Sequence, residues 1–229
     1  MPAPLKAVLF DAGNTLLFLD YDRMADAVGT ALGLPLDPGR LAAASDAASQ
    51  AAEGERGRDR DRAKVYLEAL FTGAGVPASR LDEVGACLQR LHGEVHLWGR
   101  LAVGTRDALD RLRAAGLRLG VVSNSDGRVE EALVAAGLRD CFDVVLDSAV
   151  VGMEKPDPAI FRAALDALGV APAEALYVGD LYDVDVTGAQ AAGMEAVLLV
   201  PDATVPGPDC RRYDSLAVLA DDLLQRGRS

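Results

Sequence analysis

Leu5, Ala7, Val8, Leu9 and Phe10 form an apolar run, interrupted only by Lys6, that stops at Asp11. A short apolar run of this kind predicts a strand buried on both faces, with a carboxylate at its carboxyl end. Ligands of open α/β sheets bind just beyond that end. Gly13 is expected to let the backbone turn sharply there. From Leu101 onward, strand and helix patterns alternate. Residues 105–115 are amphipathic through Thr105, Leu109 and Leu112 and close at Gly116; residues 127–136 close at Gly137, 158–168 at Gly169 and 184–192 at Gly193. Residues 117–122, 144–146, 176–178 and 196–200 read as the intervening strands, and 214–224 as a last helix. This alternation predicts an α/β fold, a Rossmann-like parallel sheet with right-handed crossovers, to which residues 5–10 contribute a strand.

Residues 18–97 carry helical periodicity only. Asp20 caps a helix bearing Met24, Val28 and Leu32, and Asp37-Pro38 opens an Ala-rich one that runs to Glu53. Residues 55–62 alternate Glu, Arg, Gly and Asp, as a solvated loop or helix start would. Val65, Tyr66, Ala69, Leu70 and Gly73 keep helical spacing, and Ser79-Arg80-Leu81-Asp82 resembles a capping box before Leu81, Val84, Leu88 and Leu91. The chain therefore reads as an α/β core, residues 1–17 and 98–229, with an inserted α-helical cap domain, residues 18–97. Such an insertion is expected to act as a lid over the sheet edge.

Half of the 229 residues are hydrophobic, enough for a substantial core, and the net charge is −12. An acidic surface repels phosphate backbones and anionic lipid, so neither nucleic acid nor a membrane is an expected partner. No apolar run approaches the about 18 residues of a membrane span, and the N-terminal apolar stretch is too short for a signal peptide. Cys87, Cys141 and Cys210 are far apart and contain no CxxC pair, as three buried thiols of a reducing cytosol would be. The expected location is cytoplasmic.

Four segments close strands at one sheet edge: Asp11-Ala-Gly13-Asn-Thr15; Ser123-Asn124-Ser125; Gly152-Met-Glu-Lys155-Pro-Asp-Pro158; and Gly179-Asp180-Leu-Tyr-Asp183-Val-Asp185. In this order, with an insertion between the first and second, the set resembles the haloacid dehalogenase-like hydrolase superfamily, phosphatase-like members with a helical cap above all. The resemblance covers essentially the whole chain. It implies that Asp11 is the nucleophile, forms an aspartyl phosphate and ligates Mg2+ together with Asp180 and the main-chain carbonyl of Gly13. Asp185, or its neighbour Asp183, would orient metal-bound water. Ser123 would offer a hydroxyl and Asn124 an amide N–H to the phosphate of a small phosphorylated molecule. Lys155 would balance charge between nucleophile and transferring group.

The chain departs from that pattern at Gly13, where such phosphatases usually carry a second Asp. That Asp protonates the leaving alkoxide and then activates water, a contribution of typically ~10²–10⁴ in rate. The expected function is therefore a magnesium-dependent phosphatase-like hydrolase of a small phosphorylated metabolite, weak or narrow in activity. A catalytically impaired phosphate-binding or interaction protein is the alternative. A phosphonate hydrolase is a further one, for which Lys64 is the only cap lysine, read here as a helix-surface residue. Gly179-Asp180 argues against dehalogenation, which needs no metal. His92 and His96 share a helix face without a third ligand, Trp98 reads as a packing anchor, and Arg56, Arg58, Arg60 and Arg62 as a solvated charged segment.

Overall fold

The computed structural model describes residues 4–53, 59–200 and 210–226. The chain divides into two units, Met1–Phe18 with Trp98–Ser229, and Leu19–Leu97. In the first unit β1 is Ala7–Phe10; β2 (Phe18–Leu19) and β3 (Trp98–Arg100) pair as a ribbon where the chain leaves and re-enters it. Then come β4 (Arg118–Ser123), β5 (Val144–Asp147), β6 (Ala175–Gly179), β7 (Glu195–Leu199) and β8 (Arg211–Tyr213). Apart from the ribbon, these strands make one parallel sheet in the order β5-β4-β1-β6-β7-β8.

Register aligns the strand ends. Phe10 lies opposite Val121 on one side and Val178 on the other, and Ser123 lies opposite Asp147. The residues that follow these positions therefore emerge at a common edge. Alternation divides the apolar side chains between two cores. Val8 and Phe10 face Val121, Val178, Leu109, Leu112 and Leu219, whereas Ala7 and Leu9 face Val122, Ile160, Phe161 and Tyr177. Each fully buried Leu or Phe contributes roughly 1.5–3 kcal/mol.

Five helices of this unit follow the sequence pattern: α5 (Thr105–Ala114), α6 (Val129–Ala135), α8 (Pro158–Leu168), α9 (Thr187–Ala191) and α10 (Leu216–Arg226). In α8, Asp157 caps with its side chain, Pro158 occupies the first turn and Gly169 closes the helix in the left-handed region. Among the described strands and α-helices, four escape the pattern, the ribbon strands β2 and β3, α7 (Ser148–Val151) and the edge strand β8, all short, with β8 spelled Arg-Arg-Tyr. Residues 184–192 also differ from expectation. A π-helical turn, Tyr182–Val186, precedes α9, for a reason that lies in the site described below.

Asp147, buried at the end of β5, accepts main-chain hydrogen bonds from Gly127, Val129 and Ala149 at 3.0–3.1 Å. It thereby ties the loop after β4 to the start of α6 and caps α7. Replacing it with Ala leaves these donors without their acceptor. Asp147→Ala is expected to lower stability by about 1–3 kcal/mol, read from the urea midpoint at unchanged m-value.

The second unit is helical: α1 (Tyr21–Leu32), α2 (Pro38–Glu53), α3 (Asp59–Gly73) and α4 (Leu81–Glu94). Asp20 caps α1 by accepting from Arg23 N, and Gly73 lets α3 lie so close to α2 that a Cβ there would stand 2.7 Å from that of Ala44. The capping box expected at Ser79–Asp82 does not form. A 3₁₀ turn at Ala78–Arg80 runs into α4, the cap position is Arg80, and Arg80 instead pairs with Glu83. Of the charged stretch 55–62, residues 55–58, with Arg56 and Arg58, lie outside the described residues, and the rest begins α3. Among the described residues, no helix is long and apolar enough to cross a membrane. Cys87 and Cys141 are buried, whereas Cys210 is only half-buried, and no disulfide joins them.

Candidate active site

Asp11 continues the β1–β6 ladder one residue beyond the strand, its N–H donating to Val178 O at 2.8 Å. The chain then folds back on itself. Leu16 and Leu17 both donate to Ala12 O, and Asn14 N donates to Leu17 O. The turn requires a left-handed residue at Asn14, φ 53°, a conformation Asn tolerates better than most. So the sharp turn is made at Asn14, and Gly13, whose φ is not positive, is not demanded by the backbone. A Cβ at position 13 would meet only Trp98, at 3.4 Å from Nε1 and 3.7 Å from Cδ1. Trp98 is half-buried and packs on the core, in keeping with an anchor.

Opposite Asp11 stands Lys155, buried in the loop between α7 and α8. Its Nζ donates to Asp11 Oδ1 at 2.6 Å, Asp185 Oδ1 at 2.7 Å and the Tyr177 hydroxyl at 3.0 Å. An ammonium has three protons, so all three are engaged. Asn124 secures the main chain of the same residue: its Nδ2 donates to Lys155 O at 3.0 Å, and Lys155 N donates to its Oδ1 at 2.8 Å. With that side chain committed, what Asn124 can offer a ligand is its main-chain N–H. Ser123 is buried at the end of β4.

Asp180 follows β6 directly. Its main-chain N–H and that of Leu181 both donate to Asp185 Oδ2, at 3.1 and 2.9 Å. This grip pulls Asp185 back under the strand end and produces the π-helical turn, a distortion frequent at functional sites. It also explains Gly179, where a Cβ would stand 2.3–2.6 Å from atoms of the Asp185 side chain. Asn14 Nδ2 reaches Asp180 Oδ2 at 3.4 Å. Of the two candidates for an orienting carboxylate, the turn brings in Asp185 and leaves Asp183 exposed, its carbonyl taken by Thr187.

Carboxylate oxygens of Asp11, Asp180 and Asp185 all lie within 4.8 Å of one another. Burial and the neighbouring Asp185 charge push Asp11 up to about 6, against the pull of Lys155. Burial, then Asp185 and Asp11, hold Asp180 well above the usual carboxylate range. Burial alone would drive Lys155 toward neutrality, but Asp11 and Asp185 hold its ammonium well above the ordinary lysine range. Three carboxylates thus gather beside one ammonium that bonds two of them, a negative excess that suits a hard divalent cation with oxygen ligands. Asp185 spends its oxygens on Lys155 and two N–H groups, which leaves Asp11 and Asp180 as the better donors. The motif reading did not include Tyr177, because a Tyr inside an apolar strand reads as core.

Outside this cluster, Lys64 is exposed and pairs with Glu68 at 3.7 Å on α3, as a helix-surface lysine does. His92 Nδ1 accepts from Leu97 N at 3.3 Å and stacks edge-on to His96.

A haloacid dehalogenase-like hydrolase family model matches residues 5–193. The chain is 44% identical over 130 residues to "Haloacid dehalogenase-like hydrolase domain-containing protein 3" of Mus musculus, covering 56% of this chain and 51% of that protein. The chain thus spans about half the length of that relative. It is 32% identical over 228 residues to the glyceraldehyde 3-phosphate phosphatase of Methanothermobacter thermautotrophicus, covering 96% of this chain and 97% of that one. Among solved structures, a phosphatase from Thermococcus onnurineus is similar with a TM-score of 0.61 at 27% identity, over 96% of this chain and 98% of that one.

Proposed function

The chain belongs to the haloacid dehalogenase-like hydrolases, and from that membership we propose that it is a magnesium-dependent phosphatase of a small phosphorylated metabolite, working through a phosphoryl group carried on Asp11. The observation that carries the reading is the buried Lys155 bridging Asp11 and Asp185 beside Asp180. In the first step the Asp11 carboxylate attacks phosphorus, and the bond to the leaving oxygen breaks with its electron pair on that oxygen. In the second, water attacks the same phosphorus, the Asp11–phosphorus link breaks, and the carboxylate is restored with inorganic phosphate as product. Lys155 offsets the charge that builds between carboxylate and phosphoryl oxygens, and Ser123 and Asn124 receive those oxygens. Asp11, Asp180 and the Gly13 carbonyl would hold Mg2+, which when bound supplies the positive charge that lets a carboxylate approach a phosphate.

Gly13 supports the narrower half of the proposal, slow turnover of unactivated esters, and keeps the phosphate-binding alternative in view. Lys64, exposed and paired, gives no support to a phosphonate hydrolase. Phosphate release from acetyl phosphate and from glycerol phosphate, with Mg2+ or with EDTA, tests the reading. Release that depends on Mg2+ supports the enzyme; tight phosphate binding without release supports the binding protein.

Ion binding has its own readout. Asp11 has a folded pKa above its unfolded one, so the metal-free folded state holds the extra proton between pH ~4 and ~6 and loses stability as pH rises through that window. Mg2+ competes with that proton. At a hundredfold excess over its dissociation constant the ion is expected to add about 2.7 kcal/mol at pH 7.5, and markedly less at pH 5. Thermal melts with Mg2+ or EDTA at the two pH values check this.

A further inference from the structure

We propose that Tyr177 is a positioning residue: its hydroxyl holds the Lys155 ammonium between Asp11 and Asp185 and locks it to the strand that carries Ser123. The inference rests on the phosphatase reading above and concerns a residue outside the four motifs.

Tyr177 is fully buried on β6, its ring edge-on to Phe161 at 4.9 Å. Its hydroxyl donates to Val122 O at 2.9 Å; Asp185 Oδ1, at 3.3 Å, is the weaker alternative acceptor. With its proton spent on Val122, the hydroxyl presents a lone pair to Lys155 Nζ at 3.0 Å. A lysine stem is long and flexible, and two carboxylates alone leave the ammonium free to rotate about the axis between them. The third acceptor removes that freedom. It is also neutral, so it fixes the head group without adding a further charge.

The geometry gains force from the other end of the same residue. Val122 and Asn124 flank Ser123 on β4 and the loop after it. Val122 reaches the Lys155 ammonium through Tyr177, and Asn124 binds the Lys155 main chain in both directions. The hydroxyl of Ser123 and the ammonium of Lys155, both expected at the phosphoryl oxygens, are thereby held as one preset clamp. Phe at position 177 would keep the ring and its packing and lose only the link.

The test compares wild type, Tyr177→Phe, Lys155→Met and the double variant, with Mg2+ and acetyl phosphate as substrate and Asp11→Asn as background. Tyr177→Phe is expected to lower kcat by about 10- to 100-fold, the worth of one hydrogen bond to a charged group, with KM within about twofold. Orthovanadate, which adopts the five-coordinate geometry of the transition state, should lose affinity in parallel with kcat, while inorganic phosphate should not. In the Lys155→Met background the second change should cost nothing more, since a residue acting through Lys155 has nothing left to position. Equal losses for vanadate and phosphate, additive losses in the double variant, or wild-type kcat in Tyr177→Phe would each overturn the assignment. Vanadate and phosphate binding report even where turnover is too slow to follow. Wild type that releases no phosphate above the Asp11→Asn background would instead remove the phosphatase reading, and this inference with it.

Discussion

Gly13→Asp should raise hydrolysis of alkyl phosphates by about 10²–10⁴-fold, the usual worth of a positioned general acid, and change that of acetyl phosphate far less. An alkoxide is too basic to leave unprotonated, whereas acetate departs as a stable anion. The wild-type site holds no spare acid for the task among the described residues of its cluster. Asp185 is tied to Lys155 and two main-chain N–H groups, Asp180 would be committed to the metal, and the Asn14 amide beside it gives up no proton. Position 13 can accept the missing carboxyl group. Its φ is not positive, and a Cβ there makes only ordinary contact with the edge of the Trp98 indole. The measurement is kcat/KM for glycerol, phenyl and acetyl phosphate in both proteins. Wild type should show a steep dependence on leaving-group basicity and the variant a shallow one. A shallow dependence in wild type would mean that another group already supplies the proton.

Asp11→Asn should abolish Mg2+-dependent phosphate release, by about 10⁴-fold or more, because an amide cannot carry the phosphoryl group. The same change should leave the metal-free protein at least as stable as wild type at pH 7.5, by about 1–3 kcal/mol in its favour. The sign follows from Asp11, pushed up to about 6 by burial and Asp185 in spite of Lys155. Above that pH the folded wild type must carry an ionised group it disfavours, and Asn is the uncharged stand-in. The two proteins should converge as pH falls below about 4, where Asp11 is protonated in both folded and unfolded states. Denaturant melts in EDTA between pH 4 and 8 test the stability half. A large loss of stability at pH 7.5 would mean that the Lys155 pairing outweighs the burial of Asp11.

Local signals carried much of this site. Asp11 and Asp180 each end an apolar run, Lys155 precedes Pro156, and Pro158 and Gly169 mark the ends of α8. Such cues are short-range, which is why a linear reading finds them. Asp147 carried the same cue, a carboxylate directly after the apolar residues 144–146, and is missed only because no family motif points to it. Tyr177 is different in kind. In Leu-Tyr-Val-Gly it is one more strand residue, and its hydroxyl acquires meaning only from Lys155 and Val122, neither of them near in sequence. The π-helical turn likewise depends on Asp185 folding back onto two N–H groups, a competition that periodicity does not register. The Ser79–Asp82 capping box fails for a related reason, since Arg80 finds Glu83 and begins the helix itself.

The place of β1 in the middle of the sheet has a consequence for the order in which the protein assembles. Its partners, β4 and β6, begin at Arg118 and Ala175, so both ladders join segments more than a hundred residues apart. Contacts of such separation pay their loop-closure entropy before they return any stabilisation, and they form late. During synthesis Asp11 is the first group of the cluster to leave the ribosome and among the last to be held in position. A nascent chain that ends short of Asp180 carries Asp11 without its companion carboxylates. On the proposed reading, phosphoryl chemistry would therefore be withheld until the segment that carries Asp180 and Asp185 has been made.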